Sequence, residues 1–98
     1  MAYKVIIKTL AEEEITQAVE WYFNKSVNLA KDLIQEIDDG LNSIKENPLN
    51  FQKRYKELRI IFIQRFPYGI YYTIEGNVIF VHAVLHNKQN PEAGIERI

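Results

Sequence analysis

Apolar positions recur along this chain with two different periods, and each period predicts a different element. From Tyr3 to Lys8 they alternate: Tyr3, Val5 and Ile7 fall on one side, as a short strand with one buried face requires. From Thr9 the period lengthens to three or four residues through Ile15, Ala18, Val19 and Tyr22, the stripe of an amphipathic helix. Thr9 and Glu12 have the spacing of a capping box, and Glu13 and Glu14 place negative charge near the positive end of the helix dipole. This first helix is expected to end near Asn24–Ser26.

A second, longer helix is predicted to start from Ser26 or Asn28 as its cap. Leu29, Leu33, Ile37, Leu41 and Ile44 mark its buried stripe, widened by Ala30 and Ile34. Gly40 costs about 1 kcal/mol against alanine inside a helix, a cost that fits a close approach between helices. Asn47-Pro48 ends the helix, because the residue before a proline avoids the α region. The two helices then form an antiparallel hairpin.

After a polar connection over Asn50–Lys56, alternation returns. A strand is predicted at about Tyr55–Phe66, with Leu58, Ile60 and Phe62 toward the helices and Arg59, Ile61, Ile63 and Arg65 on the open side. Phe66-Pro67-Tyr68-Gly69 reads as a turn and Ile70–Ile74 as the next strand. Glu75-Gly76-Asn77 reads as a tight hairpin loop, with glycine supplying positive φ. Val78–Leu85 is apolar almost throughout, as a central strand buried on both faces would be. The tail over Asn87–Ile98 is polar and expected to be partly ordered. The predicted order is β-α-α-β-β-β. It describes a two-layer α+β domain over residues 1–98, with a helical hairpin packed on a four-stranded, mainly antiparallel twisted sheet.

Composition narrows the chemistry. With no cysteine among 98 residues, disulfides and thiolate catalysis are excluded. No apolar run approaches the roughly 20 residues that cross a bilayer, and MAYKVIIKTL does not read as a signal peptide, so a cytoplasmic protein without membrane contact is expected. The net charge of −1 conceals an asymmetry: residues 1–50 carry five Lys and nine Asp or Glu, whereas residues 51–98 carry seven Lys or Arg and four Glu. An acidic helical half and a basic sheet half can present opposite fields to two partners. The total is not that of a nucleic-acid-binding domain. Glu12–Glu14 have no histidine or aspartate around them to suggest a metal, and no phosphate-binding glycine loop or Ser-His-Asp order is visible, so no metal or cofactor is expected.

Several short pieces, in order, resemble the RelE/ParE superfamily of type II toxin–antitoxin toxins, the ParE-like plasmid-stabilisation branch more closely. They are Trp21-Tyr22, Ile44-x-x-Asn47-Pro48-x-x-Phe51, Leu58-Arg59, Arg65-Phe66-Pro67-Tyr68-x-Ile70-x-Tyr72, and Ala83-Val84-x-His86 followed by Asn90-Pro91. Where the family commonly has arginine between that histidine and proline, this chain has Gln89 with Lys88 beside it. Lysine lacks the bidentate fork of arginine, so the departure implies either a weakened toxin or a charge moved by one position.

The resemblance implies two mechanisms. RelE-like toxins are ribosome-dependent ribonucleases, and ParE-like toxins bind DNA gyrase. Cleavage of RNA by its own 2′-hydroxyl needs a base, an acid and positive charge at the phosphorane. The candidates here are His86, Arg59, Arg65 and Lys88, with Lys53 or Arg54 for further phosphate contact. The tail after His86 has no tyrosine or histidine, and a chain at −1 lacks long-range attraction to a ribosome. The expectation is therefore a ParE-like toxin that binds gyrase and is neutralised by a cognate antitoxin. Its contact surface is expected to include Arg59, Arg65, Tyr68, Tyr71, His86 and Lys88, with a toxin homodimer or a toxin–antitoxin hetero-oligomer as the assembly. A messenger-RNA endonuclease acting with the ribosome is the alternative, and a non-toxic antitoxin-binding remnant a third. His82 is expected to be a satisfied structural residue, and Trp21 and Tyr22 to be packing groups.

Overall fold

A computed structural model describes residues 2–98. The elements are β1 (Lys4–Ile7), α1 (Thr9–Phe23), α2 (Val27–Glu46), a 3-10 turn at Pro48–Asn50, β2 (Lys53–Tyr55), β3 (Leu58–Phe62), β4 (Tyr68–Glu75), β5 (Val78–His86) and α3 (Glu92–Ile95). They build an α+β fold in which helices pack against one mixed sheet, ordered β1-β5-β4-β3-β2. All contacts between neighbouring strands are antiparallel except β1 with β5, which run parallel with Lys4 opposite Val78.

The sheet has five strands where the alternation predicted four. The extra one, β2, lies in the stretch that reads as a polar connection. All three of its residues are exposed, so burial leaves no pattern to read. It turns back onto β3 through Lys56, whose backbone sits in the left-handed region at φ 51°. β3 is correspondingly short, ending at Phe62.

α1 starts at Thr9 itself, and no side chain caps it. The predicted capping box does not form because the chain runs directly from strand to helix: the Lys8 N–H is spent on the Val81 carbonyl at 2.9 Å, and Lys8 becomes the capping position. In α2 the Ser26 hydroxyl accepts the Leu29 N–H at 3.4 Å, so Ser26 and not Asn28 is the cap. Leu33, Ile37 and Ile44 are buried as predicted, whereas Ile34 and Leu29 remain exposed. A Cβ on Gly40 would meet Ile70 Cδ1 at 3.0 Å. The close approach is thus between helix and sheet, not between helices.

The sheet faces are inverted relative to the reading of β3. Arg59 and Ile61 look toward the α1–α2 hairpin, and the main core gathers Ile63, Phe66, Ile70, Tyr72, Ile79, Val81 and Val84 beneath it. Leu58 and Ile60 belong to a second, smaller core with Tyr71, Ala83, Leu85 and Ile95. Part of the tail forms α3, which lies on that second face. Gly94 there is so close that a Cβ would come within 2.7 Å of the Tyr71 ring. The face carrying Arg59 and Ile61, predicted to be open, is thus the one the hairpin covers, and the face away from the hairpin is partly covered by α3.

β5 is an interior strand, between β1 and β4, as its continuous apolar run requires, with residues of both cores along it. A register shift opposite Tyr71/Tyr72 leaves His82 unpaired between Val81 and Ala83. This bulge switches the facing parity along β5, sending Val81 and Val84 to one core and Ala83 and Leu85 to the other.

Candidate functional site

The groups needed for phosphodiester cleavage are not brought together. Arg59 stands opposite Tyr72 on β4, and His86 opposite Tyr68. Four residues along a strand separate the two levels by roughly 13 Å, before the two-strand lateral offset is added. Both side chains also have structural partners. The Arg59 guanidinium donates from Nη1 to the Phe51 carbonyl and so ties the loop after α2 to the sheet. His86 Nδ1 accepts the Lys88 N–H at 3.0 Å, and the His86 N–H donates to Gln89 Oε1 at 2.9 Å.

Arg65 lies beyond the end of β3, so the regular strand that would have aligned it with Arg59 does not exist. It is exposed, with Nη1 3.1 Å from Asp32 Oδ2 on α2 and its backbone N–H donated to Glu36. Its guanidinium lies 5.6 Å from the centroid of the Phe66 ring. Lys53 pairs with Glu57 at 3.1 Å, and Arg54 lies over the Phe62 ring. Lys88 is exposed on the loop after β5.

The aromatic candidates divide. Tyr71 and Tyr72 go to opposite faces, as alternation requires, but both are buried. Tyr71 lies under α3 and so offers no exposed surface to a partner, contrary to expectation; burial, with Glu14 nearby, raises its phenol above the usual range. Tyr68 is half-buried beside the His86 ring, centroids 5.2 Å apart and edge-on, and burial raises its phenol too.

Sequence reasoning missed one ion pair. Glu14, read as helix-start electrostatics, receives Arg97 in a two-pronged contact at 2.8 and 2.9 Å. Its Oε1 also accepts the Val84 N–H at 3.0 Å, and Arg97 donates to the His82 carbonyl. β1 ends opposite Val81, so the outer edge of β5 beyond that point has no strand beside it. Glu14 and Gln89 take the N–H groups of Val84 and His86 there. The hydrogen bond that Arg97 donates to Glu14 raises the Arg97 pKa.

His82 is buried with its Nε2 2.7 Å from Thr73 Oγ1, as expected of a structural histidine. Burial above all, then the nearby Lys8 ammonium, lowers its pKa below the usual 6.5. The folded state thus resists protonation that the unfolded chain accepts. Stability should be full above about pH 6.5 and fall as pH drops through that value toward the folded pKa. The midpoint of thermal unfolding is expected to decline between pH 7 and pH 5.5, and to decline less in His82→Gln. Equal slopes in the two proteins would rule His82 out as the source.

The second face carries a groove of about 280 Å³ between Leu58, Ile60, Phe62, Tyr71, Pro91 and Ile95, rimmed by Arg54. Beside it, β2 pairs only with Leu58 and Arg59. The outer edge of β2, and that of β3 beyond Arg59, therefore lack a neighbouring strand among the described residues. Arg54 and Lys56 stand at the start of this edge and Arg65 beyond its end. Among these residues no cluster of three metal-ligating side chains occurs, and no helix is long and apolar enough to cross a membrane.

Comparison with known proteins places these features in context. The family model described as ParE toxin of type II toxin–antitoxin system, parDE, matches residues 5–91. Among solved structures, the chromosomal ParDE toxin–antitoxin system from P. aeruginosa superposes with a TM-score of 0.72 at 11% identity, covering 87% of this chain and 96% of that one. The toxin–antitoxin complex RelBE2 from Mycobacterium tuberculosis gives a TM-score of 0.59 at 16% identity, covering 88% and 99%. No sequence match was found among curated proteins.

Proposed function

We propose that this chain, which belongs to the ParE toxin family of type II toxin–antitoxin systems, arrests growth by binding DNA gyrase and is held inactive by a cognate antitoxin. One observation carries the choice of a binding mechanism over RNA cleavage. Arg59, Arg65 and His86 stand apart, two of them engaged in holding loops, so no base, acid and phosphate clamp converge on one point. A toxin working by contact needs surface and not convergence.

The antitoxin is assigned to the open edge of the sheet. An extended segment can add there through main-chain hydrogen bonds and set apolar side chains into the groove over Leu58 and Ile60. Arg54, Lys56 and Arg65 along that edge favour acidic residues in the segment. Arg65 is the exposed member of the arginine pair, whereas Arg59 acts by anchoring the Phe51 loop.

Induction without antitoxin, with DNA and protein synthesis followed separately, tests the target. Early loss of DNA synthesis is expected. Early loss of translation with cut messages would instead make the chain a ribonuclease, and no arrest would leave it an antitoxin-binding remnant. The antitoxin surface is tested separately: Arg54→Glu with Lys56→Glu should weaken binding of the co-expressed antitoxin about tenfold at low salt, mostly through slower association. Arg65→Ala should weaken it by less. Unchanged affinity in all three substitutions would move the antitoxin to another surface.

A further inference from the structure

Beside α1 lies a cup of about 330 Å³, lined in part by Tyr68 and His86. Its wall is a row of rings. Trp21 meets Tyr22 edge-on at 4.9 Å, Tyr22 faces Tyr68 at 6.4 Å, and Tyr68 faces His86 at 5.2 Å. Its floor at Ala18 and Val84 is small and apolar, so the rings stand around a space instead of filling it. Trp21, read from the sequence as a packing group, is 56% exposed.

The cup lining carries one carboxylate, Glu14, which is paired with Arg97. Among the described residues lining it none is lysine or arginine. Glu14 Oε1 holds Val84 and Arg97, while Oε2 holds only Arg97 and keeps an acceptor site free. α1 itself carries Glu12, Glu13, Glu14 and Glu20 and no basic residue, so the helix forming one side of the cup is acidic along its length. Aromatic faces and a carboxylate acceptor together complement a cation, and a planar guanidinium can lie flat on a ring face as an ammonium cannot. The Lys25 ammonium already sits 5.0 Å from the Trp21 centroid, so one ring of the set attracts a cation within this chain.

We propose that the cup is a recognition site for an arginine side chain presented by a basic segment of a partner protein. This partner surface is distinct from the basic sheet edge. It stands on the cup alone and goes beyond the toxin reading.

Trp21 is the chain's single tryptophan, so its emission reports on the cup directly. The full chain is titrated with N-acetyl-argininamide, with the uncharged N-acetyl-norleucinamide and with adenosine monophosphate. A saturable change in Trp21 emission is expected for argininamide at millimolar concentration, weakening with added salt, and absent for the other two. Gln89→Arg places a guanidinium on the rim and should weaken the argininamide response about fivefold or more by self-occupation. Gln89 also holds the His86 N–H, so far-UV circular dichroism checks that the variant is folded, and Tyr68→Leu provides a second variant expected to weaken the response. No saturable response to argininamide, or an equal one to norleucinamide, would overturn the proposal. A stronger response to the nucleotide would overturn it in favour of a base-stacking site.

Discussion

Tyr72→Ala is expected to destabilise the fold by about 3–5 kcal/mol, a large share of the total stability of a domain this size. Tyr72 is fully buried in the main core between the helical hairpin and the sheet, with Ile70 and Val81 in the same core. Its hydroxyl donates to the Pro48 carbonyl at 2.6 Å, and burial pushes its phenol up to about 12. That bond fixes the 3-10 turn that redirects the chain from α2 to the sheet. Tyr72→Phe keeps the ring volume but leaves the Pro48 oxygen without its partner, a cost of about 1–3 kcal/mol. Urea unfolding followed by circular dichroism should order the midpoints as the unaltered chain, then Tyr72→Phe, then Tyr72→Ala. A Tyr72→Phe midpoint equal to that of the unaltered chain would show that the turn does not depend on this bond.

Glu14→Ala should cost about 3 kcal/mol, because it strands two groups at once. Arg97 loses both prongs of its contact and the Val84 N–H loses its acceptor at the uncovered edge of β5. Arg97→Ala should cost less: it leaves the His82 carbonyl without its donor, but Glu14 keeps Val84 and can reach water. The asymmetry separates this account from a plain ion pair, for which the two substitutions would cost the same. Unfolding of both single variants and the double variant provides the measurement.

The elements that repeat a period over many residues were legible in the sequence. α1, α2 and β5 follow from apolar spacing alone, and Ser26 is among the predicted caps. What escaped has identifiable causes. Leu58-Arg59-Ile60-Ile61-Phe62-Ile63 is apolar at both parities, so alternation cannot say which face meets the helices. The answer depends on α3, a four-residue element too short to show a period. β2 is exposed throughout, and an exposed strand has no burial pattern. The bulge at His82 shifts parity inside a run that is apolar on both sides of that histidine, so there is no alternation whose break would mark the change.

The candidate site was less legible than the fold. Arg59 and Arg65 were separated by the early end of β3, which no spacing rule reveals. Glu14 and Arg97 meet across 83 positions, and no local pattern carries such a pair. Trp21 is a packing group by residue type and an exposed ring in the structure, whereas Tyr22 beside it turns to the core and meets Phe66.

The parallel pairing of β1 with β5 also sets an order of events. β1 finds its hydrogen-bond partners only at Val78–Val81, and the shielding of the β5 edge by α1 waits on the same strand. The β4–β5 hairpin, closed by a short turn with Gly76 at φ 62°, can form locally within microseconds. β1 must close a loop of more than seventy residues, an entropic cost that local contacts cannot offset beforehand. On a ribosome, the helical hairpin therefore emerges with its apolar stripe uncovered and cannot bury it in full until β4 and β5 have been made. During synthesis this chain spends its longest interval as an amphipathic helix pair in need of shelter, before it can act on anything else.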